Sequence, residues 1–412
     1  MLKLTCRLCK SKKLYQYLDL GMHPPSDQFK YKKQFNEKVI VYPLRLNLCL
    51  KCGFNQLNYV VDPKILYQEN YPYESSLTKS GILHYNNFAD TVVKDFDVAK
   101  KNLSVDIGSN VGTLLSAFKK NNLNAIGIEP AQNICKIANK KKLRSYNSFF
   151  NNKIVNKITK LYGKASVITA TNVFAHVDNL DTFMINIKKL LDPKKGVFII
   201  EVPHFLHLIN HLEYDTIYHE HLSYITVKPL INFVKKFNFE IIDVKKKDIH
   251  GGSIRIFFSR KGNFKIRKSV MNICRTEAKA KLNSKKTLND FAKKVKKNRF
   301  QIISFLTNLK KKNKKIIALS APAKGMTLLN YCKIDSDYIE YGTEKSKIKQ
   351  GLLMPGTQVD VFPDSKILAT KPDYALLLAW NFSKEIIKNN SKFMNNGGKF
   401  IIPIPKIKII SK

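Results

Sequence analysis

Two sets of residues in this sequence have side-chain types and spacings that could do chemistry. The first is the run Tyr218-His219-Glu220-His221, preceded at short intervals by His204, His207 and His211. Five of the nine histidines fall in this one stretch. Groups so placed could hold a metal or move protons. His207 and His211, spaced i, i+4, could share a helix face, but the pair lacks the glutamate of a metalloprotease helix. In an extended segment His219 and His221 would point to opposite sides. Acid–base chemistry is therefore the better reading of "YHEH". The bland alternative, histidines that cap loops and satisfy backbone groups, suits a lone histidine better than this cluster.

The second set is a pair of C-x-x-C units, Cys6/Cys9 in "CRLCKS" and Cys49/Cys52 in "CLKCGF". Each places two thiolates about one turn apart, and two such knuckles make the four-sulfur cage that zinc prefers. The gap between the pairs is wider than usual, so a hairpin or loop must be inserted there. A closed four-cysteine site has no open position, which makes the metal structural. Reduced thiols or a redox pair compete with this reading, but two matched pairs in one short segment favour zinc. Cys135, Cys274 and Cys332 are scattered and read as core residues.

These sets need elements to hold them. From Leu103 short apolar strands alternate with helices: "LSVDI", "NAIGIE", "SVITAT" and "GVFIIEV", with helices after Gly112 and Pro130. Such alternation argues for a parallel sheet covered on both faces. "GGSIRIFFSR" reads as a further strand. A second alternating block, "KIIALSA", "DYIEYG", "DYALLLAW" and "GKFIIPIP", reads as another Rossmann-like unit. The expected organisation is a zinc-binding domain over 1–68, an α/β domain over 69–245, and a C-terminal Rossmann-like domain with a helical linker over 246–412. "YHEH" then follows the fifth strand of the central sheet, and active sites in such sheets lie at the carboxyl ends of strands.

Length and charge bound the partners. A chain of 412 residues can bury two or three cores. The formal charge of +41 comes from 64 lysines and only 8 arginines, in a chain also rich in Ile and Asn. That bias looks like codon usage, whereas base-reading proteins favour arginine forks. The densest basic run, from Lys279, has apolar residues at helical spacing and reads as a solvated helix face. Apolar runs such as "YALLLAW" fall far short of the roughly 18 residues a membrane span needs, and no signal core opens the chain. A cytoplasmic protein without disulfides is expected.

Within the central block, "SVDIGSNVGTLL" ends a strand at Asp106, turns through Gly108, Asn110 and Gly112, and starts a helix. The spacing is G-x-x-x-G, not the G-x-G-x-x-G of a dinucleotide site. Glu129 ends the next strand 23 positions after Asp106, where a carboxylate can accept both ribose hydroxyls. Strand, D-x-G-x-x-x-G, helix and strand ending in Glu together resemble the S-adenosylmethionine site of class I methyltransferases. A generic glycine turn explains the matching acid less well. "SAPAKGMTLL" also brings a strand and a small-residue turn to a helix start, which can hold phosphate through backbone amides. A plain strand-to-helix turn fits those residues nearly as well.

The whole chain resembles the nucleotide-sugar C-methyltransferases. The matching pieces run in order: "CRLC…DLGMHPPSDQF…CLKCG", "YPYESS", "DIGSNVG", "TNVFAHV", "EVP…YHEHLSY", "HGGSIRI" and "APAKGMTLLNYC…KQGLLMPGT". The resemblance implies S-adenosylmethionine as methyl donor, a structural zinc, and methylation at C3 of a nucleotide-linked 4-keto-6-deoxysugar. The keto group acidifies the C3 proton, a base removes it, and the enolate takes the methyl group. His221, titrating near neutral pH, suits the base. Tyr218 and Glu220 would orient it or stabilise the enolate, and Tyr73 matches a pocket tyrosine of the family. Asn172 and His176 stand where the family holds cofactor and substrate, and Ala321, Pro322 and Lys324 where it holds the nucleotide diphosphate. The alternative is a methyltransferase or binding protein acting on nucleic acid, prompted by the charge; the chain has no N-P-P-Y or comparable base-methylating signature.

Overall fold

The computed structural model describes residues 1–67, 71–72, 74–75, 79–249 and 251–412. The first domain carries β1 (Leu14–His23), β2 (Lys30–Tyr31), β3 (Tyr42–Cys49) and β4 (Asn55–Leu57). β1 and β4 flank β3 in an antiparallel sheet. The segment inserted between the cysteine pairs thus contains β1 and the return to β3, and Cys49 is the last residue of β3.

The central domain is built on β5 (Leu103–Ile107), β6 (Asn124–Glu129), β7 (Ser145–Asn147), β8 (Val167–Thr171) and β9 (Val197–Pro203), all parallel. Val105, Ile126, Ile168, Phe198 and Ile200 are fully buried, as strands covered on both faces require. β10 (Ser223–Tyr224) leaves this sheet and pairs with β4 of the first domain. β11 (Phe239–Lys247) and β12 (Ser253–Arg260) return to it, with the order β11-β12-β9-β8-β5-β6-β7. β12 runs antiparallel between β9 and β11. The strand "GGSIRIFFSR" therefore completes the central sheet, which runs past the boundary expected at residue 245. The strand order reverses between β5 and β8, and the crevice at such a switch point is where ligands bind.

The linker helix Lys285–Lys311 buries Leu288, Phe291, Val295, Ile302 and Leu306 in one stripe, while Lys293, Lys294, Lys296 and Lys297 are exposed. The basic run is a solvated face, as its spacing indicates. The third domain follows: β13 (Ile316–Leu319), β14 (Gly342–Thr343), β15 (Leu352–Leu353), β16 (Val361–Phe362), β17 (Tyr374–Leu377), β18 (Lys399–Ile402) and β19 (Lys408–Ile410). Six of them form a sheet in the order β16-β14-β13-β17-β18-β19, and β15 pairs with β2 of the first domain. "DYIEYG" is only in part the strand its composition suggests. Tyr338 and Ile339 both donate their amides to the Asp335 carbonyl in a turn; from Glu340, whose amide donates to Ile316 O at 2.9 Å, the chain runs beside β13 into β14. Among the described residues no helix is long and apolar enough to cross a membrane.

Candidate active site

The four cysteines of the two knuckles converge. Their sulfurs all lie within 4.8 Å of one another, with Cys6 to Cys52 at 3.6 Å and Cys9 to Cys49 at 3.5 Å. Sulfurs on a tetrahedral zinc with bonds of about 2.3 Å would be about 3.8 Å apart, so the donor set fits zinc. Both knuckles make the same turn: the Lys10 amide donates to Cys6 O at 3.0 Å and the Gly53 amide to Cys49 O at 2.8 Å. A hydrogen bond from Cys52 holds the Cys6 thiol below its ordinary value, which favours the thiolate that a metal takes.

At the switch point the loop after β5 takes the shape expected of the donor site. Gly108, Asn110 and Gly112 all have positive φ. Glu129, at the end of β6, accepts the Asn110 amide at 2.9 Å through one oxygen and the Ala131 amide at 2.8 Å through the other. Each oxygen keeps a lone pair for a ribose hydroxyl, so the carboxylate fits the diol of S-adenosylmethionine. Asp106 lies deeper and accepts Thr169 Oγ1 at 2.6 Å; burial, with the Glu129 charge added, pushes its carboxyl up to about 7. Gly108 is also closely packed by the protein itself. A Cβ there would lie 2.4 Å from Cγ2 of Val173, the residue after Asn172. Ser75 crosses over this loop, its amide on Asn110 Oδ1 at 2.9 Å and its hydroxyl 2.9 Å from Thr113 Oγ1.

The "YHEH" histidines separate into distinct environments. His204 pairs with buried Glu277 at 2.9 Å, and His207 stacks on His211 with ring centroids 3.8 Å apart. His219 turns toward the first domain, 3.3 Å from Tyr42 O. Only His221 of these five lines a cavity of about 420 Å³ that also contains Tyr218, Glu220, Asn172 and His176. Nδ1 of His221 donates to Thr216 O at 2.7 Å, which places the lone pair on Nε2. Its ring lies against Tyr218, centroids 4.0 Å apart, and stacks on His176 at 5.1 Å. Burial, and the nearby His221, hold His176 well below the usual imidazole range. Burial keeps the Tyr218 phenol protonated, and burial plus the Asp27 charge push Glu220 up to about 8. Tyr73 lies outside the described residues.

The wall opposite comes from the third domain. The helix Ala323–Cys332 starts at the cavity, where Pro322 and Lys324 line it. Lys324 Nζ lies 3.3 Å from fully buried Asp215 and 4.1 Å from the centroid of the Trp380 ring, whose Nε1 donates to the same carboxylate at 2.7 Å. Ala321 sits behind this wall: its amide donates to Glu344 at 2.9 Å and its carbonyl accepts Lys349 Nζ at 2.8 Å. Sequence reasoning missed several cavity residues. Asp27 and Lys349, 3.4 Å apart, come from "HPPSDQF" and "KQGLLMPGT", stretches that the family resemblance contains without giving them roles. His84 lines the cavity with Nε2 2.6 Å from Glu201, and Glu201 accepts Arg255 on its other oxygen at 2.7 Å.

Three family models match consecutive parts of the chain. They are described as "Putative zinc binding domain" over 6–67, "Methyltransferase domain" over 91–244 and "C-methyltransferase C-terminal domain" over 248–405. The C-methyltransferase NovU of Streptomyces niveus is 28% identical over 407 residues, covering 98% of this chain and 96% of NovU. A S-adenosylmethionine-dependent methyltransferase of Clostridium acetobutylicum is 14% identical with a TM-score of 0.36, covering 44% of this chain and 92% of that one. The magnesium protoporphyrin IX methyltransferase of Synechocystis with bound SAM is 12% identical with a TM-score of 0.33, covering 43% of this chain and 81% of that one.

Proposed function

We propose that this chain, which belongs to the S-adenosylmethionine-dependent C-methyltransferases with a zinc-binding N-terminal domain, methylates a nucleotide-linked keto-deoxysugar, at C3 of a 4-keto-6-deoxyhexose. One observation carries the reading. The cavity sets an imidazole with its lone pair on Nε2 beside a neutral phenol and a carboxyl pushed up to about 8. That is equipment for taking a proton from carbon next to a ketone.

Bound at the loop after β5, S-adenosylmethionine supplies an electrophilic methyl group. His221 Nε2 takes the C3 proton, and the C–H electrons move into the C3–C4 bond as the C4 carbonyl becomes an enolate. Tyr218 and Glu220, both carrying protons at neutral pH, donate hydrogen bonds to the enolate oxygen. As C3 takes the methyl group the ketone reforms, and His221 releases its proton to solvent. Tyr73, outside the described residues, is assigned to the same chemistry by the resemblance of "YPYESS" alone. Asn172 and His176, on the turn after β8, hold the donor and acceptor together. Lys324 and Lys349, paired with Asp215 and Asp27, put two ammonium groups on the third-domain wall beside Pro322, and these would meet a nucleotide diphosphate. Ala321 contributes by shaping this wall, because its amide is already engaged.

The test is incubation with methyl-labelled S-adenosylmethionine and a panel of nucleotide-linked keto-sugars, with tRNA and duplex DNA as controls. The expected result is a mass gain of one methyl group on a keto-sugar. Label in nucleic acid with no sugar modified would replace this reading with a nucleic-acid methyltransferase.

A further inference from the structure

The zinc knuckle meets the catalytic turn through a cluster of opposite charges. Arg7 stands between the ligands Cys6 and Cys9 and is only 3% exposed. Its amide donates to Gln56 Oε1 at 2.8 Å and its Nη1 to Leu57 O at 2.7 Å, which fixes the side chain against β4. Its Nε reaches across the domain boundary to lie 3.4 Å from Asp178 Oδ1, a charge contact longer than a good hydrogen bond. Lys3 holds the other oxygen of Asp178 at 2.6 Å, and Lys10 pairs with Asp181. The next residue, Asn179, caps the helix Leu180–Leu190 by accepting the Thr182 amide at 3.0 Å. On its other side, Asp178 closes the turn that begins at Asn172 and carries His176. The His176 ring is sandwiched by Tyr67 at 6.0 Å and His221 at 5.1 Å.

We propose that Arg7 and Asp178 form a strut through which the zinc knuckle positions the 172–178 turn and keeps His176 stacked on His221. A buried guanidinium without an acid partner is costly, so the knuckle and the turn are held to one relative placement. The two are positioning residues: neither touches the cavity. Asn172 has φ of +55° and donates its amide to Glu201 O at 2.7 Å, so one end of the turn is pinned to β9. The strut pins the other. The zinc knuckle, whose four cysteines do not line the cavity, thereby reaches the site through Arg7 and Asp178, beside the direct contributions of Asp27 and Tyr67 from the same domain.

This inference rests on reading the cavity as the methyl-transfer site, but its first readout does not need the acceptor. With ¹⁵N-labelled histidine, the wild-type His176 imidazole should stay neutral well below the ordinary histidine value of about 6.5. The titratable rings against it are Tyr67 and His221. In Asp178→Asn the turn loosens, water reaches the ring, and its titration should move toward the ordinary value. Methylation should fall roughly 10- to 100-fold, the scale of a misplacement near 1 Å, with the loss in kcat and not in donor affinity. Asp178→Glu should recover part of both effects, and zinc should stay at one per chain. Arg7→Met should behave like Asp178→Asn; should it fail to fold, Asp178→Asn decides alone, since its side chain is 25% exposed. Unchanged imidazole titration and wild-type turnover in Asp178→Asn would overturn the strut. So would loss of zinc, which would make the contact a fold-holding one. If the wild type methylates no keto-sugar, the acceptor reading fails while the histidine titrations still decide the strut.

Discussion

Glu220 is 3% exposed, and neither of its carboxylate oxygens has a hydrogen-bond partner among the described residues. Burial first, and the charge of Asp27 second, push it up to about 8. Below that pH it is a neutral acid able to donate to an enolate oxygen, the use a buried carboxyl has in other enolising enzymes. The rate of methyl transfer should therefore decline as pH rises through about 8, and Glu220→Gln should weaken that decline because an amide still donates. Stability carries the same signature. The folded value lies above the unfolded one of about 4.3, so the contribution is full below that pH and is lost as pH rises through the folded value. Glu220→Gln should then be more stable than wild type at pH 9 by on the order of a few kcal/mol, with the gap narrowing toward pH 5. Equal gaps at both pH values in thermal melts would contradict the buried-acid account. At this scale the sequence was informative about residue type and silent about direction. "YHEH" pointed to acid–base chemistry, but only the Thr216 carbonyl, the Tyr42 carbonyl and Glu277 show which histidine serves the cavity and which serve the scaffold.

The loop after β5 and the turn after β8 are packed against each other as one unit. Gly108 has φ of +67°, and a Cβ there would meet Val173 at 2.4 Å. Gly108→Ala should cost about 1–3 kcal/mol from backbone strain alone, lower the melting temperature, and weaken S-adenosylmethionine binding in calorimetry. Adding Val173→Ala should return part of the loss if the Val173 contact matters; strict additivity of the two changes would show that it does not. The alternation of strand and helix over β5 to β9 was legible because buried parallel strands are continuous apolar runs. The place of β12 was not, since its membership of the central sheet depends on pairing with β9, a partner distant in sequence. "DYIEYG" misled in its first half for the converse reason: its aromatic and β-branched residues suit a strand, but there the local amide bonds of Tyr338 and Ile339 to Asp335 win, and the chain joins β13 only from Glu340.

All three domains contribute to the cavity: Asp27 from the first, His176 and His221 from the second, Lys324 and Lys349 from the third. The "YHEH" segment is itself held from two sides. β10 begins two residues after His221 and pairs with β4, and Thr327 of the third domain donates to Ile217 O at 3.0 Å. Asp27 and Lys349 lie in stretches that the resemblance contains without a role for them, and His84 in none; which of their residues face the site is decided only by the packing of the domains. Zinc removal should be felt at the same distance. A chelator that strips the metal should lower the melting temperature and unfold β1, β3 and β4, because binding energy at such a site is folding energy. Methylation should disappear with it, and elemental analysis against thermal melts checks the coupling. The central claim, that His221 removes a proton from carbon beside a ketone, is tested most directly in heavy water with a nucleotide-linked 4-keto-sugar and no methyl donor. Wild-type protein should wash deuterium into C3, and His221→Ala should lose that exchange by about 10²- to 10⁴-fold while still binding S-adenosylmethionine. Exchange at the wild-type rate in His221→Ala would contradict the account and move the base to another residue of the cavity.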